Sequence, residues 1–307
     1  MHPLRALAVY GLAVFAGGAL LAPGLYWACL FGAAHWPGLS ALADVPFHRV
    51  VNRSLLALAL AGLWPLLRSL GAHSWAAVGL VKSGDGWRKA ATGFALGFAS
   101  LACAALLAVI AGARHPDSSR SLPWVWSAVG SALATAVVVA CLEELLFRGA
   151  IFGSLRRAQP WPTALLLSSA IYALVHFFER PPEPAQINWA SGLVVLAQMC
   201  RGFVELDRLV PGFFTLTLAG LILGLAFQRT GTLYCSIGLH AGWIFWLKLY
   251  RGLTTEQPGA NAWFWGTSNL IDGWVSLLIL APVFLVVWRV FPRPEPVENG
   301  PKTVASR

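Results

Sequence analysis

The sequence predicts an all-α, polytopic integral membrane protein, with about eight transmembrane helices around a polar intramembrane cavity. Three observations predict it. Residues of the AVILMFWYC set make up 57% of 307 residues and charged residues only 11%, whereas soluble domains carry about 25% charged residues. The mean hydropathy is +0.66. The apolar residues also fall in blocks long enough to cross ~30 Å of hydrocarbon, which takes roughly 20 helical residues.

The expected spans are 6–31, 50–70, 88–112, 123–157, 161–178, 211–229, 232–250 and 268–292. The first block, Leu4 to Ala34, is too long for the apolar core of a signal peptide and has no clear cleavage pattern, so it reads as a retained span. The second is apolar but interrupted by Arg53, Pro65 and Arg68. The third follows the turn signal Ser83-Gly84-Asp85-Gly86, and the fourth follows Ser118-Ser119. A short Pro-containing turn, Ala158 to Trp161, leads into the fifth, which ends before Pro181-Pro182. Between 185 and 205 only Ile187 to Met199 is apolar, too short to span, so an interfacial or re-entrant segment is expected. Thr230-Gly231 separates the sixth span from the seventh, and the eighth runs into a polar tail, Arg293 to Arg307, expected to be disordered.

The organisation is N-terminal transmembrane helices (1–122), a core (123–250), a C-terminal helix (251–292) and the tail (293–307), with no internal repeats. The net charge of +9 does not imply nucleic acid, because the basic residues are scattered at segment ends, as in membrane loops. The partner implied is the lipid bilayer; oligomeric state is not readable. Several of the 15 Trp, such as Trp27, Trp36, Trp124 and Trp161, fall near expected interfaces. An even number of spans puts both termini on one side. A modest Lys/Arg bias favours cytoplasmic termini. The expected location is a membrane, taken as a bacterial inner (plasma) membrane. The five cysteines form no CxxC and no paired spacing, and most lie in apolar runs, where a free thiol behaves as a small hydrophobe.

The informative residues are polar groups in apolar sequence. The fourth span carries no charge from Leu122 to Leu142 and then presents Glu143, Glu144 and Arg148. Glu144 and Arg148 stand at i and i+4, so they share a helix face and can pair. Glu143 is turned by about 100° from Glu144 and projects elsewhere. Such residues also occur at the interfacial end of a span, and the basic ones as a topology signal. The next span tips the balance with Tyr172-Ala-Leu-Val-His176. Glu143 lies 14 residues before Arg157, and His176 lies 14 residues after Pro162. At 1.5 Å per residue both sit ~21 Å from the turn, so an antiparallel hairpin puts carboxylate and imidazole at one level. His240 is the third element, in an otherwise uncharged run from Leu233 to Leu247, flanked by Gly238 and Gly242, which permit close helix approach. Polar groups in three spans need one another, or water, to avoid unsatisfied burial.

These residues resemble a known family. Glu143-Glu144-Leu-Leu-Phe-Arg148-Gly149 is similar to the EExxxR signature of the CAAX-processing and bacteriocin-processing (CPBP) intramembrane proteases. Tyr172 to His176 resembles the FxxxH motif of that family, with Tyr for Phe, and His240 the His of its HxxxN/D motif. The region of resemblance is about 123–250. The family includes Ras-converting CAAX endopeptidases, bacteriocin self-immunity proteins and lysostaphin-resistance-like proteins. This chain departs from the pattern at Ile244, where Asn or Asp would stand. Asn188 is the substitute the 185–205 segment offers.

The resemblance implies an intramembrane endopeptidase that cleaves a membrane-associated peptide or protein. In that reading Glu143 is the general base that activates water, His176 holds the water, and His240 stabilises the oxyanion or completes the water site. Glu144, Arg148 and Tyr172 support the site. A zinc ion on Glu143, His176 and His240 is a second form of the same expectation, since two His and a carboxylate leave an open water position. The family is often classed as metalloproteases, and a metal-free, glutamate-driven attack is also argued for it. Two other readings stand beside these. One is a non-catalytic immunity or scaffold relative, favoured by Ile244. The other is a proton-coupled transporter using the same three groups as a relay.

Overall fold

The computed structural model describes residues 3–179 and 181–291, so the expected polar tail, 293–307, lies outside the described residues. The described chain is mainly helical, with almost no sheet. Its one small sheet pairs β1 (Arg114–Pro116) antiparallel with β2 (Thr254–Glu256).

Among the described residues five helices are long and apolar enough to cross a membrane: α1 (Pro3–His35), α2 (Phe47–Ser69), α3 (Gly86–Ile110), α4 (Leu122–Ala158) and α7 (Leu206–Thr230). The remaining expected spans are also helices. α5 (Trp161–Val175) and α10 (Trp274–Val290) are shorter apolar helices, and α8 (Tyr234–Leu253) carries Lys248 and Arg251 near its end. The chain is therefore helical in all eight expected places, and five of the helices meet the length and apolarity of a span. The segment 185–205 forms the nine-residue α6 (Ser191–Met199), which packs on α1. A single helical turn, α9 (Ala262–Trp265), precedes α10.

Boundaries moved where side chains took over backbone partners. α5 stops at Val175 rather than 178. The His176 ring, at Nδ1, lies 2.7 Å from the Tyr172 carbonyl and caps the last turn. Residues 268–273, expected in the last helix, form a loop gathered by Asp272, whose carboxylate accepts from the Thr267 amide at 2.8 Å and the Thr267 hydroxyl at 2.5 Å.

Two small-residue seams set the orientation of the central helices. On α4, Ala132, Ala136 and Ala140 recur every fourth residue and are buried, and the stripe continues into buried Glu144. It meets α8 at Ala241. On the other side of α8, Gly238 and Gly242 lie against Gly93 and Gly97 of α3. A Cβ built on Gly238 would stand 1.9 Å from the Ala90 carbonyl oxygen, and one on Gly97 would stand 2.1 Å from that of Leu239. Backbones this close leave no room for a side chain. Two residues along a helix turn ~200° about its axis, so the glycine face on α3 points His240 the opposite way, toward α4. Replacing Gly238 with Leu forces the two helices apart. Its effect should exceed the ~1–3 kcal/mol of ordinary overpacking, because the obstacle is backbone. Gly130→Leu, where nothing lies within 4 Å, should leave the protein folded. Thermal melts of the detergent-purified variants would show a large loss for the first and little change for the second.

Candidate active site

The paired carboxylates of α4 separate as a helical register requires. Glu144, in the alanine seam, is fully buried. Arg148, one turn on, donates to Glu144 Oε1 at 2.9 Å. It also donates to the Gly220 carbonyl of α7 at 3.3 Å and lies 4.5 Å above the Tyr172 ring. The helix from Leu145 to Phe152 widens into π-helical turns around Arg148, an irregularity frequent at functional sites.

Glu144 Oε1 also lies 2.9 Å from His240 Nδ1. A carboxylate only accepts, so Nδ1–H donates, and a neutral ring so held presents its Nε2 lone pair. That Nε2 lies 3.3 Å from the Tyr172 hydroxyl and 3.8 Å from Glu143 Oε2. His176 repeats the arrangement. Its Nδ1 is bound to the Tyr172 carbonyl, and its Nε2 lies 3.8 Å from Glu143 Oε2. Both imidazoles thus turn Nε2 toward one oxygen. Glu143 Oε2 is buried and has no hydrogen-bond partner among the described residues. A separation of 3.8 Å is beyond direct hydrogen bonding and within the span of a water held by two bonds of about 2.8 Å.

These groups line a cavity of about 90 Å³ whose remaining wall is almost entirely apolar. That is room for water, since a single site needs only about 10–15 Å³ of this measure. A second, larger recess of about 680 Å³ adjoins it, sharing His176, Leu216, Leu247 and Ile271 and extending to Arg208, Arg251, Asn269 and Asp272. The 15-residue α5 ends beside Glu143, and the residues that follow it, from His176 to Glu179, form part of the recess wall.

The structure therefore brings together Glu143, Glu144, Arg148, Tyr172, His176 and His240. It does not bring in Asn188, which is exposed and accepts from the Ala190 amide at 2.9 Å. Ile244 itself lines the cavity. Two features had no clear signal in the sequence. One is the Glu144–His240 bond, which depends on the rotation of α8. The other is Thr215 of α7, fully buried on the cavity wall with its hydroxyl unpartnered among the described residues.

The donor types suit zinc: two Nε2 lone pairs fixed by their Nδ1 bonds, and an orphan carboxylate oxygen. Zinc bonds of about 2.1 Å at tetrahedral angles put ligand atoms roughly 3.4 Å apart; the two Nε2–Oε2 distances here are 3.8 Å. Among the described residues no group of three or more His, Cys, Asp or Glu is arranged to hold a metal ion.

Residues 124–246 match the family model for Type II CAAX prenyl endopeptidase Rce1-like. No curated protein and no solved structure matches the chain.

Proposed function

We propose, on the premise that residues 124–246 are an Rce1-like domain, that the chain is an intramembrane endopeptidase that cuts a membrane-associated peptide with water activated by Glu143. One observation carries this reading: a buried, unpartnered carboxylate oxygen faces two imidazole Nε2 atoms across a water-sized cavity. Water bound between Glu143 and the imidazoles gives a proton to Glu143 as its oxygen attacks the peptide carbonyl. Glu143 then returns the proton to the departing amine, and water is consumed with one C–N bond broken. His240 is fixed for this by Glu144, and Glu144 is balanced by Arg148. The Tyr172 hydroxyl holds Nε2 of His240 in register. Zinc, when bound, would be held by Glu143, His176 and His240 and would supply Lewis acidity; we take the metal-free form, in which Glu143 alone activates the water.

The apolar helices support residence in a bilayer, and we take the location as a bacterial inner membrane with both termini cytoplasmic. A non-catalytic scaffold is the second reading, favoured by Ile244 on the cavity wall.

The test is cleavage by the purified protein in lipid vesicles, with internally quenched peptides as probes: a farnesylated CAAX peptide and an unprenylated membrane-binding peptide. Wild-type protein should cleave at least one, and treatment with a zinc chelator should leave the rate unchanged. A flat signal with every peptide would favour the scaffold. Stoichiometric zinc whose removal abolishes cleavage would overturn the metal-free form.

A further inference from the structure

Ile244 leaves the His240 side of the cavity with carbon where a polar group would be useful. Among the described residues the lining contains two hydroxyls, those of Tyr172 and Thr215. Tyr172 is engaged with His240. Thr215 is not engaged with anything among the described residues, and this is unusual for its setting. Ser and Thr in apolar helices ordinarily return their hydroxyl to a carbonyl one turn back. Thr135 does so to Ser131 at 2.7 Å, Ser169 to Leu165 at 2.7 Å and Thr230 to Ala226 at 2.8 Å. Thr215 is fully buried and makes no such bond. Thr217, also unpartnered, does not line the cavity. A buried hydroxyl without a partner is unfavourable unless something that enters the cavity completes it.

Resting on the endopeptidase reading, we propose that Thr215 donates the hydrogen bond that stabilises the oxyanion of the tetrahedral intermediate. As water oxygen bonds to the peptide carbon and its proton passes to Glu143, the carbonyl π electrons move to oxygen. That oxygen accepts from Thr215 Oγ–H. When the C–N bond breaks, the electrons return to re-form the carbonyl, and the proton on Glu143 leaves with the amine.

The experiment compares Thr215→Val, Thr215→Ser and Glu143→Gln with wild type in vesicles, on whichever quenched peptide the wild type cleaves. Loss of one oxyanion donor lowers kcat by about 10²–10³-fold. Thr215→Val should lose that much with KM within twofold, and Thr215→Ser should stay within a few fold of wild type. Full kcat in Thr215→Val beside an inactive Glu143→Gln overturns the role of Thr215 alone. Wild-type activity in Glu143→Gln overturns the underlying reading. A second measurement needs no substrate. Because a buried hydroxyl without a partner is unfavourable, Thr215→Val should melt at or above the wild-type temperature, and a clearly lowered melting temperature would show that the hydroxyl is bonded within the fold and overturns its role.

Discussion

Glu143→Gln should abolish peptide cleavage and leave the protein folded. The substitution keeps shape and removes the proton acceptor, and general-base catalysis is worth about 10²–10⁴-fold. The fold should not notice, because Glu143 Oε2 has no hydrogen-bond partner among the described residues to lose. Steady-state kinetics in vesicles should show the loss in kcat rather than KM. An unchanged melting temperature would separate it from misfolding. Retained turnover would assign the base to another residue.

Arg148→Ala should fail in the opposite way, by stability first. Glu144 is fully buried, and its charge is answered by Arg148 at 2.9 Å. Removing one partner of a buried pair costs about 3–5 kcal/mol, because the other charge is left uncompensated. Against a typical net stability of 5–15 kcal/mol that is a large fraction. The Gly220 and Tyr172 contacts of Arg148 on α7 and α5 would be lost as well. The expected result is a strong drop in melting temperature and in monodisperse yield, with His240 released from its place. A well-folded Arg148→Ala variant with a normal melting curve would show that Glu144 is not held as a charge.

The contrast between neighbouring carboxylates was legible in the sequence because it follows from helix geometry. Glu144 stands one turn before Arg148 and can pair with it, and Glu143 is turned about 100° away. The approach of Glu143 to His176 was legible for a similar reason: both stand 14 residues from the ends of one hairpin turn. The second role of Glu144, orienting His240, was not, since it needs the rotation of α8, which is set by a backbone contact with α3. The end of α5 was misjudged because a side chain, His176, took a carbonyl that the pattern assigned to the helix. Thr215 was invisible for the plainest reason. One hydroxyl in an apolar run carries no signal until its usual carbonyl partner is seen to be unused.

An electron cryo-microscopy map of the protein in a lipid nanodisc, at a resolution that shows ordered water, would put all of this to the proof. It should show density within hydrogen-bond reach of Glu143 Oε2 and of an imidazole Nε2, with His240 on Glu144. Glu143 facing the acyl chains, or either imidazole a helix diameter (about 10 Å) away, would contradict it.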